Sequence, residues 1–299
     1  MSDKATGSKG IIPQTLVDVA IAAALVGSVF LAMFAFSGNW PPLVVIESKS
    51  MQHSGDESQI GVLDTGDLAM VKSVSSMNEI TTYAGGLING HRTYGDFGDV
   101  IIYWKAGDQT ETPIIHRAVI FLDANDDDSF SAPELQYLAP GVDYVLTNSS
   151  DSWDHLTSDF HMLNYGFRGA DISIPITNIL RFAEAHGEVL HGGFITKGDY
   201  NTFVDQLSYI SVGEPVPFEW VHGVATGEIP WFGVIKLWFT GSLPQDAPGN
   251  SITLLWVSVI AIAAIPIGSE VYIWVRERRK AGQKDPGPEE KPPIEKPKE

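Results

Sequence analysis

The 299-residue chain has no cysteine, so a disulfide-stapled scaffold is excluded and whatever folds must do so on a hydrophobic core. Basic residues are scarce: 19 Lys and Arg stand against 37 Asp and Glu. Phosphate contact needs a basic face, so nucleic acid is excluded as a partner. Internal repeats of 20 to 50 residues are absent, which argues against a solenoid or propeller. Long apolar runs are absent from all but two places, and the mean hydropathy of +0.03 averages unlike parts.

The two exceptions are Leu16 to Phe36, 21 residues with the single charge Asp18, and Ser251 to Ser269, 19 residues with none. Each matches the roughly 20 residues that cross a bilayer core. Lys4 and Lys9 precede the first run, and eight bases lie between Arg276 and Lys298 after the second. Basic flanks stay in the cytoplasm, so both termini are expected inside and the segment between them outside. That segment, residues 38–250, holds nine bases and 28 acids, a net −19. Such a surface suits a saline exterior. Ala35-Phe36-Ser37 has the small-residue spacing of a signal-peptide cleavage site, but the run before it exceeds an h-region of 7 to 15 residues, which favours a retained anchor.

These boundaries give a cytoplasmic N-terminus (1–14), a membrane helix (15–37), an outer domain (38–250), a second membrane helix (251–275) and a tail (276–299) of charge, Pro and Gly expected to be disordered. Within the outer domain, Leu43 to Ile46, Leu68 to Val71, Val100 to Tyr103, Ile114-Ile115 and Ala118 to Phe121 read as strands divided by Gly, Asp and Asn. One stretch, Ile176 to His186, has helical spacing. The domain is therefore expected to be mainly antiparallel β. Residues 122–191 are more polar and read as a cap inserted into a core formed by 38–121 and 192–250, the alternative being that they are part of the core sheet.

Just past the first apolar run, Leu43-Val44-Val45-Ile46-Glu47-Ser48-Lys49-Ser50-Met51 ends a strand in Ser-x-Ser-Met. It is followed by Gly66-Asp67-Leu68, Gly98-Asp99-Val100, Ile115-His116-Arg117, and Lys197-Gly198-Asp199-Tyr200-Asn201 with Asp205 six residues beyond Asp199. A serine hydroxyl is a weak nucleophile unless a neighbouring base takes its proton, imidazole titrates in the right range, and an acid orients the imidazole. Lys49 and Lys72 are the rival bases, but Lys49 is expected on the far face of a strand and Lys72 in solvent.

This ordered set resembles signal peptidase I of the archaeal and endoplasmic-reticulum type, over most of residues 11–121 and 190–240. The resemblance implies a signal-peptidase-like antiparallel β catalytic domain flanked by two membrane helices. It implies Ser50 as nucleophile and His116 as general base and then acid, in the place where bacterial relatives carry lysine. Asp205 is preferred as the partner that orients His116 and Asp199 as support, although the sequence does not order the two. Ser48 is expected to join the Ser50 backbone N–H in an oxyanion hole, a kind of donor worth about 2.7 to 4 kcal/mol elsewhere.

The implied partners are the signal peptides of preproteins at the translocon and the lipid bilayer, with no cofactor required. Trp220, Trp231, Phe232, Trp238 and Phe239 would pack in the core or rest the domain on lipid headgroups. Trp220 to Gly223 and Ile229 to Gly233 look like the family's closing strand pair. Two departures stand out: His53 replaces a usual Pro, and Tyr200 interrupts Gly-Asp-Asn.

Asp123, Asn125, Asp127 and Glu134 follow the spacing of a calcium loop, although Asp128 takes the place of its Gly and Pro133 would disturb an exiting helix. Two readings stand, a structural Ca²⁺ that stiffens the cap and a solvated acidic loop. His186 and His191 are spaced wrongly for a zinc helix. The competing class of protein is a non-enzymatic, calcium-binding surface domain held by the same membrane helices.

Overall fold

A computed structural model describes residues 14–208, 210, 213–242 and 247–282. Residues 1–13 of the expected N-terminal segment and most of the tail lie outside these residues. The described chain falls into two units, one ending at Ile252 and one beginning at Thr253.

The first unit opens with helix α1 (Gln14–Ser37), apolar all round and long enough to cross a membrane, its most apolar 18 residues uncovered by protein. Six residues after Ser37 comes β1 (Leu43–Val45), then β2 (Leu68–Lys72), whose alternation buries Ala69 and Val71. Helix α2 (Tyr83–Asn89) is capped by Thr82, which accepts a 2.9 Å hydrogen bond from Gly85 N–H. The short strands β3 (Arg92–Thr93) and β4 (Asp96–Phe97) form a hairpin.

Strand β5 (Val100–Tyr103) is buried along its whole length, as a continuous apolar run at the middle of a sheet should be. Strand β6 (Ile114–Ala124) is the longest. There follow β7 (Phe130–Ser131), β8 (Tyr144–Leu146), β9 (Phe160–Tyr165), β10 (Ala170–Ile174) and α3 (Ile176–His186). Helix α3 turns Ile176, Ile179 and Ala183 inward at spacings of three and four. The chain returns through β11 (Gly193–Lys197) and β12 (Val221–Ile229) to α4 (Gly233–Thr240).

The main sheet has seven antiparallel strands in the order β1-β2-β12-β5-β6-β11, with β7 added to the far end of β6. A second antiparallel sheet, β10-β9-β8, lies in the segment between β6 and β11. The fold is thus mostly β and antiparallel, and the helix at Ile176–His186 has the predicted bounds.

Three expectations change. The inserted cap shares its core with the sheet: Phe160, Met162 and Ile174 pack in one cluster with Val119, Ile120 and Ile195. The expected closing strand pair is a single strand, β12, whose register shifts between Val221 and Gly223 and again between Ala225 and Gly227; the chain beyond it coils into α4. These bulges let one strand serve β5 at one end and β2 at the other.

The second unit is described by α5 (Ser251–Gly282), which starts at the end of the first unit, contains Pro266 and is apolar enough over Ser251–Arg279 to cross a membrane. The helix therefore runs past Arg276, where disorder was expected.

Candidate active site

After β1 the chain is fixed by Ile46, whose N–H donates to the Asp67 carbonyl at 2.9 Å, and by Met51, which is buried among Ile46, Leu63 and Val71. Between these anchors a single 3-10 turn, Lys49–Met51, lifts Ser50 to the surface of a cleft. Ser50 is half-buried and its Oγ lies 3.1 Å from Ser48 Oγ. Its carbonyl accepts the Tyr200 N–H at 2.8 Å.

On β6, His116 is buried, with Nδ1 only 2.6 Å from Asp205 Oδ2. The same oxygen accepts the Tyr103 hydroxyl at 2.8 Å and the Thr196 hydroxyl at 2.7 Å. Tyr103, His116 and Thr196 come from β5, β6 and β11, three neighbours in the sheet, so strand order builds the cluster. Asp205 Oδ1 is buried and has no hydrogen-bond partner, which leaves all its donors on one side. Burial, and then the Asp205 charge, hold the Tyr103 hydroxyl well above its usual range, so it remains a donor.

A carboxylate on Nδ1 calls for an N–H there, leaving the Nε2 lone pair to accept. Gly198 packs against both that nitrogen and the Ser50 backbone: a Cβ added to it would come 2.9 Å from His116 Nε2 and 2.6 Å from the Ser50 carbonyl oxygen. Only glycine lets the 198–201 turn come this close. Ser48, Ser50 and His116 line one cleft of about 530 Å³, with apolar walls from Val45, Ile114 and Ile115.

Asp199 is placed elsewhere. Neighbours along a strand point to opposite faces, and Arg117 turns away from His116 to meet Asp199 through Nε at 2.8 Å and Nη2 at 2.6 Å. Nη1 of Arg117 donates to the carbonyls of Thr93, Phe97 and Gly98, which ties the β3–β4 hairpin to the same point. Burial alone would push the Asp199 carboxyl up, but the Arg117 guanidinium and its hydrogen bonds hold it down at about 2. His53 lies 3.1 Å from Asp199 through Nε2 and stacks on Phe167. The first departure thus supports Asp199, and the second, Tyr200, contributes a backbone N–H to Ser50.

Of the rival bases, Lys49 stands in the 3-10 turn and not on a strand, with its Nζ 5.8 Å from the centroid of the Tyr200 ring. Lys72 is exposed at the end of β2.

The calcium-like loop is a β turn between β6 and β7, with Asp128 at φ +60° where the spacing wants Gly. Asn125 and Asp127 turn to Ser129, and Asp127 also meets His155 at 3.2 Å. Glu134 points away from them, accepting from the Thr82 hydroxyl and the Phe121 N–H. Pro133 confines the following residues to one 3-10 turn, Pro133–Tyr137. Among the described residues no three carboxylate or imidazole groups are gathered as a cation would need; of the four predicted ligands, Asp123 and Glu134 line one cavity. His186 stacks on Phe182 at the end of α3, whereas His191 meets Glu214 at 2.9 Å.

Tyr103, Thr196 and Gly198 are the site residues that sequence reasoning did not single out. Tyr103 closes an otherwise apolar buried strand, where a phenol needs a partner, and that is the one signal that pointed to it. No protein-family model matches this chain, and no curated protein matches it.

Proposed function

We propose that the chain is a membrane-anchored serine endopeptidase of the signal peptidase I type, which removes signal peptides from exported preproteins. The observation that carries this reading is the buried Asp205–His116 pair at a cleft whose wall also bears Ser50.

In the reaction the Ser50 hydroxyl leaves Ser48 and gives its proton to His116 Nε2 as Oγ attacks the scissile carbonyl. Asp205 stabilises the imidazolium through Nδ1. The Ser50 N–H and the Ser48 hydroxyl receive the oxyanion. His116 then protonates the leaving amine, and a water activated by the same imidazole hydrolyses the acyl ester. Asp199 acts at one remove, as the anchor of the 198–201 turn.

Strand β1 is the end strand of the sheet, which suits an extended peptide added along it, and the apolar walls suit small side chains at alternate positions. Trp40, Trp238 and Phe239 are exposed on the same unit as α1, which favours a face resting on lipid headgroups. Both termini would then be cytoplasmic and the cleft extracytoplasmic.

The test is cleavage of a model preprotein by the full chain in detergent. Ser50→Ala and His116→Ala should each abolish it while circular dichroism is unchanged; cleavage retained by His116→Ala would overturn the mechanism.

A further inference from the structure

Beyond the catalytic residues, one buried cation has no part in the mechanism above. Lys197 is only 4% exposed. It closes β11 next to Thr196, so the two side chains point to opposite faces: Thr196 to Asp205, Lys197 to the Arg117–Asp199 side. Its Nζ donates to the Gly198 carbonyl at 3.0 Å and to the Asp199 carbonyl at 3.3 Å, and stands 5.2 Å from the centroid of the Tyr165 ring.

Burying an ammonium is costly, and an apolar side chain would fill the same space without that cost. What the ammonium adds is a grip on two successive carbonyls of the turn that approaches the nucleophile. That turn carries Gly198, against His116 and Ser50, and Tyr200, whose N–H holds the Ser50 carbonyl at 2.8 Å.

We propose that Lys197 is a positioning residue for the nucleophile: its ammonium pins the 198–199 carbonyls, and the pinned turn holds Ser50 through Tyr200 N–H. The catalytic half of this statement rests on the peptidase reading; the pin itself does not. Lys197 is not a second base, because its donors are committed to these carbonyls on the face away from His116.

The charged groups around Lys197 are Asp199, Arg168, Asp205 and Arg117, with Asp171 lining the same small cavity. Burial lowers its pKa to about 8 against the pull of the two aspartates, with the arginines acting in the same direction as burial. The grip should therefore weaken as pH rises through about 8.

The experiment compares the full chain in detergent with Lys197→Met and Lys197→Arg, by amide hydrogen exchange resolved at Tyr200 and by preprotein cleavage. Wild type should lose Tyr200 protection, beyond the intrinsic base catalysis of exchange, as pH passes about 8. The Met variant should exchange at Tyr200 about tenfold faster at neutral pH, as expected of a locally loosened unit. It should lose about 10²-fold in kcat with KM little changed, the usual cost of a small misplacement. The Arg variant should keep both properties without the alkaline transition. Protection at Tyr200 that is flat through pH 8 in wild type, or unchanged in the Met variant, would overturn the pin whatever the cleavage assay gives. A wild type that cleaves nothing but shows the Tyr200 response would overturn the peptidase reading and leave the pin standing. If Lys197→Met unfolds, the Arg variant and the wild-type pH series decide.

Discussion

His116 Nδ1 and Asp205 Oδ2 lie 2.6 Å apart although 89 positions separate the residues in the chain, and the same oxygen also serves Tyr103 and Thr196. The orientation of the imidazole thus depends on three strands being in register, and the donors contribute unequally. Asp205→Asn would present an amide where Nδ1–H needs an acceptor and favour the wrong tautomer; on the proposed function, preprotein cleavage should fall by about 10⁴ in kcat. Tyr103→Phe removes one of three donors and should cost about tenfold, the worth of one hydrogen bond to a charged group. Steady-state kinetics on the two variants check this ranking, and equal losses would contradict it.

Gly198 admits no side chain. With a Cβ 2.6 Å from the Ser50 carbonyl oxygen, Gly198→Ala must move either the turn or Ser50, the nucleophile of the proposed function. A displacement of about 1 Å is enough to cost roughly 10² in rate. The expected result is that loss in kcat with the far-ultraviolet circular dichroism of the parent.

The Arg117–Asp199 pair should behave as a structural element. Both side chains are buried, so Arg117→Met leaves an uncompensated carboxylate and should destabilise by about 3 to 5 kcal/mol in denaturant titration. Asp199 has a folded pKa of about 2, below the 3.8 of the free group, so its contribution is complete above pH 4 and lost as pH falls from there towards 2. The loss is of order 2 kcal/mol. Asp199→Asn should flatten the acid limb of the melting temperature against pH.

Asp67 carries the opposite sign. Burial, then the neighbouring Asp64 and Glu228 charges, raise its carboxyl to about 7, even though it accepts hydrogen bonds from the N–H groups of Trp231 and Asp64. A raised acid favours the folded state at low pH, so stability from this cluster declines as pH climbs from about 4 to about 7. Glu228→Gln removes one repelling charge and should soften that decline. Calorimetric melting between pH 4 and pH 8 reads it directly.

Much of this was legible in the residues. The period of 3.6 at Ile176, Ile179 and Ala183 gave the helix, and buried apolar runs such as Val100–Tyr103 gave the strands. His116 and Arg117 could be recognised as a pair that a strand sends to opposite faces, but the groups they meet there depend on β6 lying between β5 and β11, an order with no local signature. Strand order also explains why Tyr103 and Thr196 went unnoticed. The calcium-like spacing sits in flanks unlike those of a helix-flanked calcium loop: β6 continues into the acidic run, and Glu134 accepts from Thr82. The cap looked separable by composition, yet Phe160 and Ile174 are buried against strand residues that composition assigned to the core.

The end of α1 is fastened to the sheet: the Ser73 N–H at the end of β2 donates to the Ser37 carbonyl at 2.7 Å, and β1 begins six residues after Ser37. On the proposed function, this joint makes the enzyme a ruler. The height of Ser50 above the bilayer is set by a fixed backbone link, so the bond to be cut is chosen by how far it stands from the membrane as well as by its side chains. A few Gly and Ser residues inserted after Ser37 should leave the cleft intact and shift the position of cleavage along the preprotein, which mass spectrometry of the released product would record.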